Sequence, residues 1–176
     1  MNVCFSGGAK GADSIFSYNA LKKDHKVINF VFDWMNSRCD KSTLFNLSDD
    51  ELNQANETLK KCSHRIKRYF PTKNDYVNKL LQRNYYQILE SDTMYAVTYL
   101  DGNKVDGGTA WAVEMFKMLK HGDIFIFDMN TNDWYLYDHD EFVYAEPYTP
   151  NGFYTGVGSR NITEQGKKAI RNLYFG

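Results

Sequence analysis

The chain opens on a short apolar run, Val3-Cys4-Phe5, followed at once by Ser6, Gly7, Gly8 and Gly11 before apolar residues resume at Ala12. An apolar run stopped by clustered glycine reads as a buried strand, a tight turn and a helix, since glycine takes positive φ without steric cost. Such a turn gathers backbone N–H groups at the positive end of a helix, where an anion is held without a lysine. A second segment of the same make stands at the far end, Phe153-Tyr-Thr-Gly-Val-Gly-Ser-Arg160. Any fold that accepts both must deliver two strands into two helices at one edge of a sheet.

Between these ends, strands and helices alternate. Residues 12–23 carry Ile15, Phe16, Ala20 and Leu21 at helical spacing, and 26–32 is a clear strand. Residues 33–47 lack periodicity and read as loop. Ser48 and Glu51 form a capping box that opens a polar helix to about residue 68. Pro71 interrupts it, and Thr72 caps a helix striped by Tyr76, Leu80, Leu81, Tyr85, Ile88 and Leu89. Then come a strand at 93–99, a glycine turn at 101–108, a helix at 109–119 and a strand at 123–128. Residues 132–137 and 141–144 make a small β-hairpin within a joining segment, 130–150, and a strand at 154–157 precedes a helix at 163–173. The alternation predicts an α/β fold, a Rossmann-like three-layer sandwich with a mostly parallel sheet plus the hairpin insertion. The 176 residues are expected to form one domain, burying roughly 70% of the surface of the unfolded chain.

Composition removes several function classes. A net charge of −1, with mixed signs along the chain, lacks the basic footprint of a duplex-binding protein, so nucleic acid is not an expected partner. No apolar run approaches the roughly 18 residues of a membrane helix and no signal-peptide pattern opens the chain, which predicts a soluble cytoplasmic protein. Cys4, Cys39 and Cys62 are too widely spaced for a disulfide framework or zinc site, and Cys4 reads as a small buried hydrophobe. His25, His64, His121 and His139 show no metal spacing and are expected at the surface, so no metal is expected. Asp133, Asp138, Asp140 and Glu141 read as a solvated acidic hairpin. Trp34, Trp111 and Trp134 are expected to pack in the interior, with Trp111, two residues past Thr109, also a candidate to stack on a base.

Three glycine turns remain: Ser6-Gly7-Gly8 with Gly11, Asp106-Gly107-Gly108-Thr109, and Gly156-Val-Gly158-Ser159-Arg160. In an open parallel sheet they would line one edge, at the carboxyl ends of the strands, where ligands bind. None is a P-loop and none is the dinucleotide fingerprint, so no cofactor is expected.

Phe5-Ser-Gly-Gly-Ala-Lys-Gly-Ala-Asp13 resembles the SGGAxGAD turn of the SLOG superfamily, Rossmann-like proteins related to DNA-processing protein A and the "lonely guy" phosphoribohydrolases. Tyr154-Thr-Gly-Val-Gly-Ser-Arg160 resembles their YxGIGSR segment, and Leu81-Gln-Arg83-Asn84-Tyr85 and Asp106-Gly-Gly-Thr109 are similar to their middle motifs. The order differs: the GSR strand, first in the family, is last here, which resembles the circularly permuted YpsA-like branch.

The resemblance implies a nucleotide-type ligand held by Ser6, Gly7, Gly8, Gly11, Arg83, Gly107, Gly108, Thr109, Gly158, Ser159 and Arg160. Asp13 would orient its turn or face ribose hydroxyls; as a plain acid at a helix N-terminus it would simply favour the dipole. Two functions follow. One is a binding module that senses or sequesters a nucleotide or an NAD-derived molecule. The other is a phosphoribohydrolase acting on nucleoside monophosphates, with Arg83 and Glu114 as the catalytic pair. The family's catalytic Glu falls here on Ala112, and Glu114 lies two residues on, roughly 200° around a helix. The resemblance leaves a homo-oligomer open.

Overall fold

A computed structural model describes residues 1–35, 37 and 39–176. In chain order the elements are β1 (Val3–Ser6), α1 (Ala12–Lys22), β2 (Lys26–Phe32), β3 (Leu44–Leu47), α2 (Asp49–Asn53), α3 (Asn56–Ile66) and α4 (Asp75–Leu89). They continue with β4 (Thr93–Thr98), β5 (Leu100–Asp101), β6 (Lys104–Val105), α5 (Thr109–Leu119), β7 (Ile124–Asp128), β8 (Asp133–Asp138), β9 (Glu141–Tyr144), β10 (Phe153–Gly158) and α6 (Glu164–Phe175).

One eight-stranded sheet runs β3-β2-β1-β10-β4-β7-β8-β9, parallel through β7 and antiparallel for β8 and β9. The first and last strands are neighbours: Val3, Cys4 and Phe5 pair in register with Phe153, Tyr154 and Thr155. Strand side chains alternate between faces. Tyr95 and Val97 of β4 therefore pack with Phe16 of α1 and Ile170 and Tyr174 of α6. Met94 and Ala96 pack on the opposite face with Leu59, Ile88 and Phe116 of α3, α4 and α5. This is the Rossmann-like three-layer arrangement. Gly156 allows the close approach of helix to sheet, since a Cβ there would lie 2.3 Å from Cγ of Phe16. Among the described residues, no helix is long and apolar enough to cross a membrane.

Several elements depart from expectation. β3 lies inside the segment read as loop; it is an edge strand with only Leu47 buried, so it carries no alternating pattern. Residues 36 and 38 of that segment lie outside the described residues. The helix opened by Ser48 and Glu51 has both reciprocal capping bonds, but divides at Gln54 and Ala55, whose N–H groups turn back to Glu51 and Leu52 in tighter i→i+3 bonds. Asn74, not Thr72, caps α4, accepting from the N–H of Val77 at 3.1 Å; Thr72 instead bonds Asn78. The hairpin is an extension of the main sheet through β7, not a separate appendage.

His25 is buried rather than at the surface. Its Nδ1 lies 2.8 Å from the Tyr154 hydroxyl, which in turn lies 3.0 Å from that of Tyr174. Burial, with Lys23 beside it, holds its pKa below the usual histidine value. Trp34, expected inside, is exposed, whereas Trp111 and Trp134 pack against Phe70 and Phe127.

Candidate functional site

β10 delivers its chain to α6 on one face of the sheet and β4 leads on to α5 on the other, so a crevice opens at the carboxyl ends of these two adjacent strands. A cleft of about 460 Å³ occupies this place, within the range of about 300–1,000 Å³ usual for small-molecule sites. Its floor is the β10 turn, Val157 to Asn161, with Thr98 of β4. One wall is the turn that starts α5, Asp106 to Thr109. The other is α4, whose Tyr76, Val77, Leu80 and Leu81 give it an apolar lining, and Lys10, Asp13, Arg83 and Arg160 bring charge to it.

The β1 turn contributes less open surface than its glycines suggest. The Ser6 hydroxyl is buried and donates to the Gly156 carbonyl at 2.6 Å, so it is not a phosphate donor. The carbonyl of Gly7 accepts from Arg83 Nη1 at 2.7 Å, and that of Gly8 accepts from the Ser37 hydroxyl at 2.8 Å. Gly11 starts α1 at φ 97°, pressed against the β10 turn: a Cβ there would lie 2.4 Å from the Ser159 carbonyl oxygen and 2.5 Å from that of Arg160. The first N–H of α1, on Ala12, donates to that Ser159 oxygen at 3.0 Å. Ser159 itself is fixed by its N–H to Val97 at 2.9 Å and its hydroxyl to Asn161 at 3.0 Å. The two end turns are thus locked together, and among the sequence-selected residues Ser6, Gly7, Gly8 and Gly11 build that lock rather than line the cleft.

Asp13 and Arg83 sit above the lock. Each is only 5% exposed, yet both line the cleft. A Cβ on Gly7 would fall 2.5 Å from Arg83 Nη1 and 2.7 Å from Asp13 Oδ2, so only glycine leaves room for the two charged groups there. Burial pushes the Asp13 carboxyl above the usual range, and Arg83 and the peptide groups of Gly7 and Gly158 oppose that rise. Burial likewise lowers Arg83, opposed by Asp13. Arg83 Nε, both amide atoms of Gln87 and Thr155 Oγ1 are buried without a hydrogen-bond partner among the described residues.

The α5 turn is different. Gly108 provides no side-chain cap, and among the described residues nothing accepts from the N–H groups of Gly108 and Thr109. This helix start, facing the cleft, presents unpaired donors and the positive end of a dipole. It follows the β5–β6 ribbon rather than β4 directly, and Arg68 Nη1 steadies it from behind by donating to the Gly107 carbonyl at 2.6 Å.

Of the sequence-selected residues, the cleft gathers Asp13, Arg83, Gly107, Gly108, Thr109, Gly158, Ser159 and Arg160. Glu114 is elsewhere: it points away from the cleft and pairs with Arg65 at 3.4 Å and Lys117 at 3.8 Å. The Arg83/Glu114 pair is not assembled, because α5 begins at Thr109 as an unbroken helix and carries residue 114 to its far face. Trp111 is buried in the core and does not reach the cleft; the ring that does is Tyr76. Lys10, Asn84, Thr98, Asp106 and Asn161 were not selected from sequence. Lys10 lies inside the first glycine turn, so its position was a usable signal; Tyr76 and Leu80 were hidden in a stripe read as core. Among the described residues, no three His, Cys, Asp or Glu side chains gather as a metal site would require.

Fold and cleft define a Rossmann-like α/β protein with a crevice at the carboxyl edge of its parallel strands. The chain is similar to a crystal structure described as "Putative molybdenum carrier protein" from Syntrophus aciditrophicus SB, at 13% identity and a TM-score of 0.57, covering 98% of this chain and 92% of that one. At that identity the likeness establishes the fold alone. No family model and no curated protein matches the sequence.

Proposed function

We propose that the chain is a single SLOG-like, circularly permuted domain that binds a nucleotide-type small molecule as a sensor or sequestering module. One observation carries the reading: the uncapped start of α5 faces a cleft that also holds Lys10, Arg83 and Arg160, beside an apolar wall. Helix-end donors and cations suit a phosphate, and Tyr76, Leu80 and Met35 suit a base. The phosphoribohydrolase reading loses its carboxylate, since Glu114 is tied to Arg65 and Lys117. The similar protein's description as a molybdenum carrier adds another small oxyanion, molybdate, to the candidates worth testing.

Isothermal titration with AMP, GMP, NAD, inorganic phosphate and molybdate tests this. A nucleotide is expected to bind with one-to-one stoichiometry and without release of base, and to bind at least tenfold more weakly to the double variant Lys10→Ala, Arg160→Ala. Binding of molybdate alone, or of no nucleotide, overturns the reading; release of base revives the hydrolase.

A further inference from the structure

The uncapped start of α5 is built on one peptide, that between Gly107 and Gly108. Gly107 stands at φ 61° and Gly108 at φ −66°, and a Cβ on either would meet nothing within 4 Å. Two adjacent glycines in open space leave this peptide plane free to turn over at little steric cost. What holds it is its carbonyl, which accepts from the Ala110 N–H at 3.3 Å and, in a shorter bond, from Arg68 Nη1 at 2.6 Å. In a planar trans peptide the Gly108 N–H points opposite to that carbonyl. Arg68 does not line the cleft; with Lys67, Lys104 and Val113 it lines a separate groove of about 520 Å³ on the other side of α5. The bond to Arg68 therefore turns the N–H toward the side on which Gly108 lines the cleft.

The end of α3 places Arg68. Lys67 takes the left-handed conformation at φ 56°, and the Arg68 N–H turns back to the Ser63 carbonyl at 3.0 Å, a Schellman-type stop that fixes the backbone from which the side chain reaches. Among the described residues no carboxylate lies within salt-bridge distance of its guanidinium, so its charge is directed onto the peptide oxygen. A charged donor on a carbonyl polarises the whole peptide and strengthens the N–H at its other end. The same cleft is lined by Arg83, 5% exposed and with its Nε unpartnered, a second donor without an acceptor.

Resting on the phosphate part of the reading above, we infer that Arg68 is the positioning residue of the anion site, acting from outside the cleft. It holds the Gly107–Gly108 peptide with its N–H toward the ligand and polarises that N–H for a phosphate oxygen. The charge of Arg68 reaches the ligand through one peptide and touches no ligand atom. Its contribution therefore belongs to the phosphate and not to the base or the sugar.

Wild type, Arg68→Met and Arg68→Lys are titrated with AMP, adenosine and inorganic phosphate, and the amide proton of Gly108 is followed by NMR. Affinity for AMP and for phosphate is expected to fall roughly 3- to 10-fold in Arg68→Met, with adenosine unchanged. Arg68→Lys, which keeps the charge, is expected to recover part of the loss. Phosphate should move the Gly108 amide proton downfield in the wild type and less so in Arg68→Met. Unchanged AMP affinity in Arg68→Met would overturn the role of Arg68 and leave the nucleotide reading standing. An equal loss of AMP and adenosine would do the same, marking Arg68 as a structural support. If Arg68→Met does not fold, Arg68→Lys decides by the same comparison of AMP with adenosine. Phosphate bound without AMP, and weakened in Arg68→Met, would support the role of Arg68 while overturning the nucleotide reading. Failure of the wild type to bind either AMP or phosphate would overturn both.

Discussion

Gly11 is a residue at which the backbones of the two ends of the chain press on one another, and replacing it with alanine measures that contact. Its φ of 97° and ψ of −136° lie where a side chain is strained, costing about 1–3 kcal/mol. The added Cβ would also approach the Ser159 and Arg160 carbonyl oxygens at 2.4 and 2.5 Å, and these are backbone atoms that cannot swing aside. Overpacking of this kind adds about 1–3 kcal/mol, for a total loss of about 2–6 kcal/mol. Gly107→Ala is the matched control: its φ is also positive, at 61°, but nothing lies within 4 Å of a Cβ there. It should lose only the backbone cost, about 1–2 kcal/mol. Urea unfolding followed by circular dichroism reads both, with stability differences expressed in the midpoint while the slope stays constant. In a chain of this size the excess loss in Gly11→Ala should also lower Tm by roughly 2–4 °C per kcal/mol. Equal losses in the two variants would refute the claim that the turns at the two ends brace each other.

Two further outcomes are expected. His25 has a folded-state pKa below its unfolded value of 6.5, so the unfolded chain takes up the proton first; the His25 contribution to stability should be fully present at about pH 7 and be lost as pH drops through about 6.5 and below. Urea midpoints against pH check this, and the fall should be reduced in His25→Gln; an unchanged slope would place the acid sensitivity elsewhere. Glu114→Gln should leave nucleotide affinity within about twofold of wild type in the same isothermal titration, because Glu114 pairs with Arg65 and Lys117 away from the cleft.

Much of the architecture was legible because its signals were local. Continuous apolar runs such as Ile124 to Phe127 marked strands buried on two faces, and Ser48 with Glu51 marked a helix start down to both capping bonds. β3 was invisible because an edge strand with one buried side chain has no pattern to read. At the site, the sequence located the turns but not their state. Ser6 and Ser159 look alike on paper, yet one hydroxyl is sealed under Gly156 and the other lies at the cleft, a difference set by the pairing of strands about 150 residues apart. His25 was misplaced for the same reason: the residues around it in sequence, Lys23 and Asp24, are polar, but its ring packs on Tyr154 and Tyr174, which come from the far end of the chain. Gly8, chosen from sequence as ligand-facing, has its carbonyl tied to Ser37 and φ of 62°, so a β-branched substitution there strains the backbone and would report on folding before binding.

The position of β10 has a kinetic consequence. It is the last strand in the chain and stands between β1 and β4, which do not pair with each other. Until β10 docks, β1 and β4 each carry an open hydrogen-bonding edge at what will become the middle of the sheet. Contacts of such long sequence separation close late and slow the search for the native state. A nascent or truncated chain ending before residue 153 would therefore hold two unpaired, apolar edges with no partner of its own to cover them, the condition that favours aggregation. Completion of the final strand and helix is the event that turns two adhesive fragments into one closed sheet, and a chaperone acting on this protein would have most to do just before it.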